Sequence, residues 1–286
     1  IKTTAQDEHG NITKVNNVEC DLVFDCTGFR RELIGKLYKS EWKSYQDCLP
    51  IKRAIPFFLP PENKPYTQAI AMKYGWVWKI PLQHRCGAGY IFDSDYITDE
   101  EAFDEAKEMF PDIEYTRTIK FDAGRFKKTW INNCIAVGLS SGFTEPLEAT
   151  SIWMATEQLK LLETFIDVMF TNDEDTKKDY NEVIANNNDM VMEFLHYHYM
   201  TKRDDSPFWK EFRNKNNLPK FNVKLQQIQK GNLRWYHTTG EKITSTFNLM
   251  SWLHVGEGQG LIKDISIEGY ENLNPTVEEY GRHLPR

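Results

Sequence analysis

Two hydrophobic periodicities follow one another along the chain, and their order limits its architecture more than any other feature. Short apolar runs separated by glycine and proline fill the first half and predict strands. From Pro146 to Phe170 the apolar positions keep helical spacing, and Tyr180–His198 predicts a second helix. Strands followed by helices predict a mixed α/β body with a helical cover, which we divide into residues 1–160 and 161–286.

The composition indicates a folded protein without a basic surface. The 286 residues are 40% hydrophobic and 27% charged, so the chain can bury a substantial core. The formal net charge of -7 argues against nucleic acid as the main partner, because phosphate binding needs clustered basic residues. No apolar run approaches the roughly 20 residues of a membrane-spanning helix. We therefore expect neither nucleic acid nor a membrane as a partner.

Five cysteines make an odd count without a C-x-x-C pair, which fits no simple disulfide framework. They are Cys20, Cys26, Cys48, Cys86 and Cys134. They predict buried thiols in a reducing, cytoplasmic setting. The chain begins at Ile1, within a predicted pair of strands around a turn at residues 9–11, and shows no signal peptide. A chain seldom starts inside a sheet, so we interpret this one as the downstream part of a longer protein, or as a processed or truncated one.

The stretch GWVWKIP, residues 75–81, places two tryptophans on either side of one valine. In an extended strand alternate side chains share a face, so Trp76 and Trp78 point one way and Val77 and Lys79 point the other. On spacing alone, an aromatic ladder in a sheet core explains the pattern, because strands favour aromatic residues.

The stretch AVGLSSGFTEPLEATSIW, residues 136–153, joins an apolar strand ending near Gly138 to a loop of small residues and then to the helix predicted from Pro146. A helix N-terminus presents free backbone N–H groups, which attract an anion or the polar edge of a cofactor. Glu145 and Glu148 fall in the predicted first turn, where a carboxylate can simply offset the helix dipole. We favour that structural role for Glu145, whereas the small residues around Glu148 let a ligand approach the backbone.

Two further segments carry weaker signals. DCTGFR, residues 25–30, ends a strand at an acid and a glycine, which suits a tight turn. HYHYMTKRDDSPFW, residues 196–209, brings His196 and His198 close in sequence. Positions i and i+2 do not share a helix face, so we favour polar contacts over a metal site. Residues 203–207 predict a polar turn before a new helix.

Together these four segments resemble the flavin-dependent halogenases of the tryptophan halogenase group. GWVWKIP fits their W-x-W-x-I-P signature, and VGLSSGFTEPLEATSI is similar to their flavin- and halide-binding segment, which usually ends in E-P-L-E-S-T-G-I. DCTGFR resembles their turn beside the flavin, and HYHYMTKRDDSPFW resembles their H-Y-x-x-T-x-R-x-D-[ST]-x-F-W block. The resemblance implies the remainder of a FAD-dependent monooxygenase-type fold with a helical, substrate-covering C-terminal part.

The resemblance also implies a reaction and its components. In this family reduced FAD (FADH2), O2 and a halide, chloride or bromide, yield hypohalous acid. That species passes through a tunnel to an essential lysine and halogenates an electron-rich arene such as tryptophan or another indole. The flavin carries out the oxygen chemistry, and the protein supplies placement and electrostatics. The resemblance implies a separate flavin reductase as a partner. Whether the protein forms a homodimer is left open by the sequence.

Residue by residue, the resemblance assigns roles to the matching positions. The flavin-binding positions are Gly28, Leu139 and Ile152. The halide-binding positions are Thr150 and Ser151, through their backbone. Glu148 is the implied catalytic residue, which would position or polarise the halogenating species beside the lysine. Trp76 and Trp78 would stand as apolar walls between flavin and substrate, and no metal is implied.

Two departures from the family pattern bear on this assignment. The chain has Ala149-Thr150-Ser151 where the family commonly has Ser-Thr-Gly. Serine is less free in its backbone geometry than glycine, so we expect a halide site that differs in size or preference. No Gly-rich nucleotide turn occurs in the sequence, and the family's lysine lies upstream of every motif found here. The matching context surrounds none of Lys52, Lys73 and Lys79, so we assign no catalytic lysine.

Two other interpretations stay open from the sequence. A flavin monooxygenase that hydroxylates its substrate would leave the two tryptophans structural, but many hydroxylases carry a Gly-Asp pair where this chain has Gly138-Leu139. A non-catalytic remnant or interaction module would explain the missing nucleotide turn. Trp252 and Tyr236 are candidates for stacking on a substrate, with core packing the favoured role for each.

Overall fold

The computed structural model describes residues 1–171, 173–214, 247 and 249–261. The chain divides by contacts into two compact units, residues 1–195 and residues 196–286. The boundary predicted at residue 160 falls inside a helix that belongs to the first unit as a whole, because Leu162 shares a core cluster with Trp130 and Ile135. The boundary between the two compact units lies between residues 195 and 196. The division of the chain into a flavin-binding part, residues 1–160, and a substrate-covering part, residues 161–286, stays a prediction.

Strands come first and helices follow, which confirms the predicted mixed α/β class. The strands are β1 Thr4–Gln6, β2 Ile12–Val15, β3 Val18–Glu19, β4 Val23–Asp25, β5 Trp42–Ser44, β6 Arg53–Leu59, β7 Gln68–Ala71, β8 Gly75–Pro81, β9 Cys86–Phe92, β10 Ile119–Lys120, β11 Gly124–Phe126, β12 Trp130–Ile131, β13 Cys134–Ala136 and β14 Gly142–Phe143. The α-helices are α1 Asp99–Met109, α2 Thr150–Thr164, α3 Glu174–Tyr199, α4 Pro207–Asn214 and α5 Leu249–Gly258. Shorter helical turns are the 3-10 turns Gly28–Arg30, Gly138–Ser140 and Pro146–Glu148, and the π-helical segment Glu32–Leu37.

The largest sheet is antiparallel, with the strand order β10-β6-β9-β8-β7. Helix α1 packs on one of its faces, where Val77 and Tyr90 share a buried cluster with Ala102. Thr98 begins this helix with a reciprocal cap: its hydroxyl accepts from Glu101 N at 3.2 Å, and the Glu101 carboxylate accepts from Thr98 N at 3.0 Å. This cap fixes the start of the helix at Asp99, directly after Thr98.

A second sheet carries the ends of the segments that resemble a flavin site. Its strand order is β12-β13-β4, and β13 pairs with β4 in parallel. Trp130 and Ile135 from this sheet pack with Leu162 of α2 and Tyr180 of α3, and the Trp130 and Tyr180 rings meet edge to face at 5.4 Å. Burial of these large side chains supplies the hydrophobic stabilisation that holds α2 against the end of the parallel strands.

The limits of two predicted helices differ from the sequence pattern for local reasons. The helix predicted from Pro146 begins at Thr150, because Ala149 adopts a left-handed conformation with φ 54° and separates α2 from the preceding 3-10 turn. The helix predicted from Tyr180 begins at Glu174, where the Asp173 carboxylate accepts from Thr176 N at 2.8 Å and caps the first turn.

In the second unit, the polar turn predicted at residues 203–207 leads into α4 as expected. Pro207 opens the helix, and the Ser206 hydroxyl accepts a hydrogen bond from Trp209 N at 3.3 Å. Tyr199 packs with Phe208, Trp209 and Phe212, with ring centroids 6.0 to 6.2 Å apart. The segment 247–254, too mixed to assign from sequence, contributes to α5.

All five cysteines are free. Cys48, Cys86 and Cys134 are buried as predicted, whereas the prediction is wrong for Cys26, which is exposed, and for Cys20, which is only partly buried. Burial raises the pKa of the Cys48 thiol to about 11. Among the helices of the described residues, none has both the length and the apolar character of a membrane span.

Candidate functional site

The segments at residues 25–30 and 136–141 meet at the end of one parallel strand pair. Asp25 lies opposite Ala136 in the register of β4 and β13, and Val137 N donates to Asp25 O at 3.1 Å. Because parallel strands end at the same edge of a sheet, the chain leaves both strands side by side. Such an edge is where α/β sheets commonly bind their ligands.

Each of these strands is followed by a 3-10 turn that begins at a glycine with positive φ. The angle is 65° at Gly28 and 64° at Gly138. A Cβ on Gly28 would meet no atom within 4 Å, so the backbone conformation rather than crowding requires glycine there. The Ser140 hydroxyl donates to Gly28 O at 3.3 Å and so links the two turns. Leu139, which lies between Gly138 and Ser140 in the second turn, is only half-buried. The two turns therefore touch and leave an accessible surface.

Asp25 fixes the first turn through a fully buried carboxylate. Its Oδ1 accepts from the amide and the hydroxyl of Thr27 at 3.0 and 2.6 Å, and its Oδ2 accepts from the amides of Leu33 and Ile34 at 2.9 and 2.8 Å. A buried carboxylate is tolerated only when donors surround it, and charge-assisted bonds of this kind are strong. The four bonds set the path of the chain from β4 into the Gly28 turn.

The N-terminus of α2 lies against the second turn. Ala155 of this helix is 3.8 Å from the position a Cβ on Gly138 would take. Among the described residues no side chain caps α2, and its first turn contains no acidic residue. The positive end of the helix dipole and its free amides at Thr150 and Ser151 therefore favour an anion. Ile152, one residue further on, is 81% exposed.

The two glutamates before α2 have opposite environments. The Glu145 side chain is completely buried and makes no capping bond to the 3-10 turn that follows it. Glu148 is exposed at the end of that turn. Both glutamates were predicted in the first turn of the helix, and that position is wrong, because α2 begins only at Thr150, after the left-handed Ala149. The structural role favoured for Glu145 stays a prediction. Sequence carried no signal for its burial.

The two tryptophans lie on one face of the large sheet, as the alternation predicted. Trp76 pairs with Ile91 and Trp78 with Gly89 on β9, while Val77 points into the cluster beneath α1 on the other face. Trp76 is 3% exposed and Trp78 is partly buried. The Trp78 ring occupies the space above Gly89, where a Cβ would come within 2.0 Å of the ring.

The histidines of the 196–209 segment lie in the helical part of the second unit. His196 and His198 both belong to α3, so the spacing that argued against a shared face applies to them. His196 is fully buried. Trp252 is 2% exposed and its ring lies 5.2 Å from that of Tyr197, which supports packing rather than substrate stacking. Tyr236 lies outside the described residues.

Two buried or partly buried polar groups had no sequence signal, one at the second turn and one elsewhere in the first unit. Gln158 of α2 is buried and bonds to the Gly138 turn. Asp189 of α3 accepts two hydrogen bonds of 2.9 Å from Arg125, and one of 2.5 Å from the hydroxyl of Tyr45. A lone glutamine or aspartate on a helix looks like any solvent-facing residue, so only the fold reveals these contacts.

Comparison with solved structures places this arrangement in a known class. The chain is similar to a flavin-dependent halogenase called BrvH, from Brevundimonas sp. BAL3, with a TM-score of 0.81 and 27% identity over 99% of this chain and 59% of that one. It is similar to a tryptophan 6-halogenase, SttH from Streptomyces toxytricini, with a TM-score of 0.82 and 28% identity over 98% of this chain and 57% of that one. The fold is that of the flavin-dependent halogenases.

Sequence comparison defines the family. The model of the tryptophan halogenase family matches residues 1–273, so the chain belongs to that family. A curated relative, the tryptophan 7-halogenase KtzQ from Kutzneria sp. (strain 744), is 34% identical over 219 residues. This match covers 71% of the chain and 41% of KtzQ. The chain therefore spans less than half the length of this relative.

Proposed function

We propose that this chain is part of a flavin-dependent halogenase that uses reduced FAD, O2 and chloride or bromide to halogenate tryptophan or another indole. One observation carries the proposal: two glycine turns at the end of a parallel strand pair stand next to the uncapped N-terminus of α2. A cofactor surface and an anion seat are thereby adjacent, which this chemistry requires. Family membership and the similar tryptophan halogenases support the same function.

The residues of the turn edge fit a flavin. Gly28 offers open backbone at a turn, Leu139 is half-exposed, and Ile152 exposes an apolar side chain beside them in the helix that packs on the second turn. A flat, mostly apolar ring system with a polar edge needs this mixture of apolar contacts and backbone groups. In our proposal these residues hold the flavin, which supplies the oxygen chemistry when bound.

The start of α2 fits a halide. A monovalent anion without directional bonds is stabilised by converging amides and by the positive end of a helix. Thr150 is buried, with its hydroxyl 3.2 Å from that of Thr144, so the first amide of α2 is held in a fixed position. Ser151 stands where the family pattern quoted in the sequence analysis has glycine. We propose that Thr150 and Ser151 bind the halide through their amides, with a size preference set by Ser151.

Glu148 and the tryptophans complete the proposed site. The exposed carboxylate of Glu148 can position or polarise the halogenating species beside the substrate. Trp76 and Trp78 contribute an apolar wall that separates cofactor from substrate. We assign the family's essential lysine to none of the lysines considered: Lys52 is paired with Asp95, and Lys79 is buried and paired with Glu62.

The test uses protein expressed from its complete open reading frame, mixed with FAD, a flavin reductase, NADH, chloride or bromide, and tryptophan or indole. Mass spectrometry should detect a halogenated product, and Glu148→Gln should reduce its rate about 100-fold or more, as loss of a positioned acid-base group does. Glu163→Gln, on the exposed side of α2, is the matched control and should retain the rate.

Each other outcome identifies an alternative. A hydroxylated product in place of a halogenated one would overturn the proposal in favour of a flavin monooxygenase. No product together with an unshifted flavin spectrum would overturn it in favour of a non-catalytic protein. A halogenated product that Glu148→Gln leaves unchanged would retain the function and remove Glu148 from the site.

A further inference from the structure

Gln158 is a buried residue of α2 whose hydrogen bonds to Gly138, Ser141 and Ala136 hold the second glycine turn. Its side chain is 4% exposed, in the third turn of α2. Its Oε1 accepts from Gly138 N at 3.0 Å and from the Ser141 hydroxyl at 3.2 Å. Its Nε2 donates to Ala136 O at 3.4 Å. One amide group thus holds the end of β13 and both ends of the turn that follows it.

These contacts lie where the backbone changes direction. Ala136 is the last residue of β13, and Gly138 has a left-handed φ of 64°. The amide of Gly138 has left the strand ladder and does not yet belong to a helix, so it needs a side-chain acceptor when buried. Gln158 supplies that acceptor and returns a donor to the strand carbonyl. The turn is therefore held from the helix side rather than by its own backbone alone.

Gln158 belongs to the same helix whose first amides form the proposed halide seat. It stands eight residues after Thr150, about 12 Å along the axis at the rise of an α-helix. Leu139 lies inside the turn that Gln158 holds, and Ile152 lies in the first turn of α2. Any shift of the turn along the helix would change the spacing between Leu139 and both Ile152 and the halide amides, which are fixed together in α2.

We propose that Gln158 is a positioning residue that sets the distance between the flavin-binding turn and the halide seat at the start of α2. The inference rests on the proposed function. It assigns no contact of Gln158 with the flavin or the halide. Its effect passes through Gly138 and Ser141, and it determines how efficiently consumed flavin is converted into halogenated product.

The experiment compares Gln158→Leu, which removes both hydrogen-bonding atoms at similar volume, with Gln158→Glu, which keeps an acceptor for Gly138 N in either protonation state. Three quantities are measured on the full protein: FAD affinity by fluorescence quenching, halogenated product per reduced flavin consumed, and the KM for bromide. Asn181→Leu is the control. It removes the amide that bonds to Thr129 and Trp130 elsewhere in the same unit.

Gln158→Leu should weaken FAD binding about tenfold, the loss expected for one buried hydrogen bond, and should lower product per flavin. The KM of Gln158→Leu for bromide should rise. In Gln158→Glu, the FAD affinity, the product per flavin and the KM for bromide should return most of the way to the values of the unaltered protein. Asn181→Leu should lower the unfolding temperature without changing the other values. If Gln158→Leu does not fold, Gln158→Met, unbranched and of similar length, replaces it.

Two results would overturn the inference, and they differ. If Gln158→Leu merely lowers the unfolding temperature as Asn181→Leu does, with FAD affinity and product per flavin unchanged, Gln158 is structural and the proposed function stands. If the unaltered protein neither shifts the flavin spectrum nor forms product, the proposed function fails and the positioning role fails with it.

Discussion

The indole of Trp78 lies directly over Gly89 on the neighbouring strand, in space that any other residue at position 89 would fill. A Cβ there would come within 2.0 to 2.7 Å of three ring carbons. The glycine is thus required by the tryptophan across the sheet, and the two residues act as one packing unit.

Gly89→Ala should therefore force the Trp78 ring to move and should lower the free energy of unfolding by about 1–3 kcal/mol, the usual cost of overpacking. Thermal and urea unfolding measure the change. Gly87→Ala is the matched control two residues earlier, since its nearest neighbour would be 3.9 Å away, and it should cost under about 0.5 kcal/mol. The double variant Gly89→Ala/Trp78→Phe should recover part of the lost free energy of unfolding. If the effects of the two single substitutions simply add, the Trp78 ring does not cause the loss in Gly89→Ala.

Replacing both Trp76 and Trp78 by Phe should leave flavin binding nearly unchanged while altering halogenation or raising the release of hydrogen peroxide. Phenylalanine is smaller than tryptophan, so the two side chains would separate the cofactor from the substrate less completely. More of the oxidant would then be released as hydrogen peroxide before it halogenates the substrate. Peroxide and product are counted per reduced flavin consumed. Trp130→Phe, in the cluster beneath α2 and α3, is the control for losing a buried indole. Unchanged product and peroxide in the double variant would return both tryptophans to ordinary core packing.

Asp25→Asn should destabilise the protein and abolish flavin binding. The new amide nitrogen would face two backbone donors in place of an acceptor, so the free energy of unfolding should fall by about 2–4 kcal/mol. Chemical denaturation and flavin quenching test the two effects separately. Asp21→Asn, at an exposed position before the same strand, should change stability by less than about 0.5 kcal/mol. Tight flavin binding by Asp25→Asn would contradict the role given to the Gly28 turn.

Asp189 should make stability depend on acid pH. Burial raises the pKa of this carboxyl, but hydrogen bonds from Arg125, Tyr45 and Lys43 outweigh that effect and hold the pKa below its usual value. A folded-state pKa below the unfolded one means that the contribution is complete above the unfolded pKa, about 3.9, and is lost as pH falls through the folded value. Unfolding measured between pH 7 and pH 2 should show this loss.

Asp189→Asn should reduce the acid-side slope and lower stability at pH 7. We expect a loss of about 2 kcal/mol, less than the roughly 3–5 kcal/mol of a fully buried pair, because Asp189 is partly exposed. Asp179→Asn, an exposed position on the same helix, is the control and should keep both the slope and the stability. If the free energy of unfolding falls equally steeply with acid pH in Asp189→Asn and in the unaltered protein, Asp189 does not cause the pH dependence.

The sequence predicted those elements whose residues follow a periodic or capping pattern. It did not predict the element boundaries that depend on the conformation of a single residue. The shared face of Trp76 and Trp78 follows from strand alternation, and the start of α1 follows from its cap at Thr98. The start of α2 could not be predicted, because Ala149 is a good helix former and only the fold holds it in a left-handed conformation.

The candidate site shows the same division. The glycine turns and the helix that follows the second of them have recognisable sequences, so their presence was predictable, although the first residue of α2 was not. The anion site at that helix start stays a prediction. The proximity of the two turns was not predictable, since it depends on a pairing between distant strands. The burial of Glu145 and the contacts of Gln158 depend on which side of the chain meets the core, and a single glutamate or glutamine has no periodicity to reveal it.

The parallel pairing of β4 with β13 also dictates when during folding the site can form. The contact between Ser140 and Gly28 spans 112 residues, so the first turn is synthesised long before its partner exists. The entropy of closing such a loop grows only with the logarithm of its length, yet contacts this distant in sequence slow folding. A flavin that binds across both turns would join the chain after this closure and shift the equilibrium toward the closed form by mass action. Cofactor supply during synthesis would then affect the yield of folded protein as well as its activity.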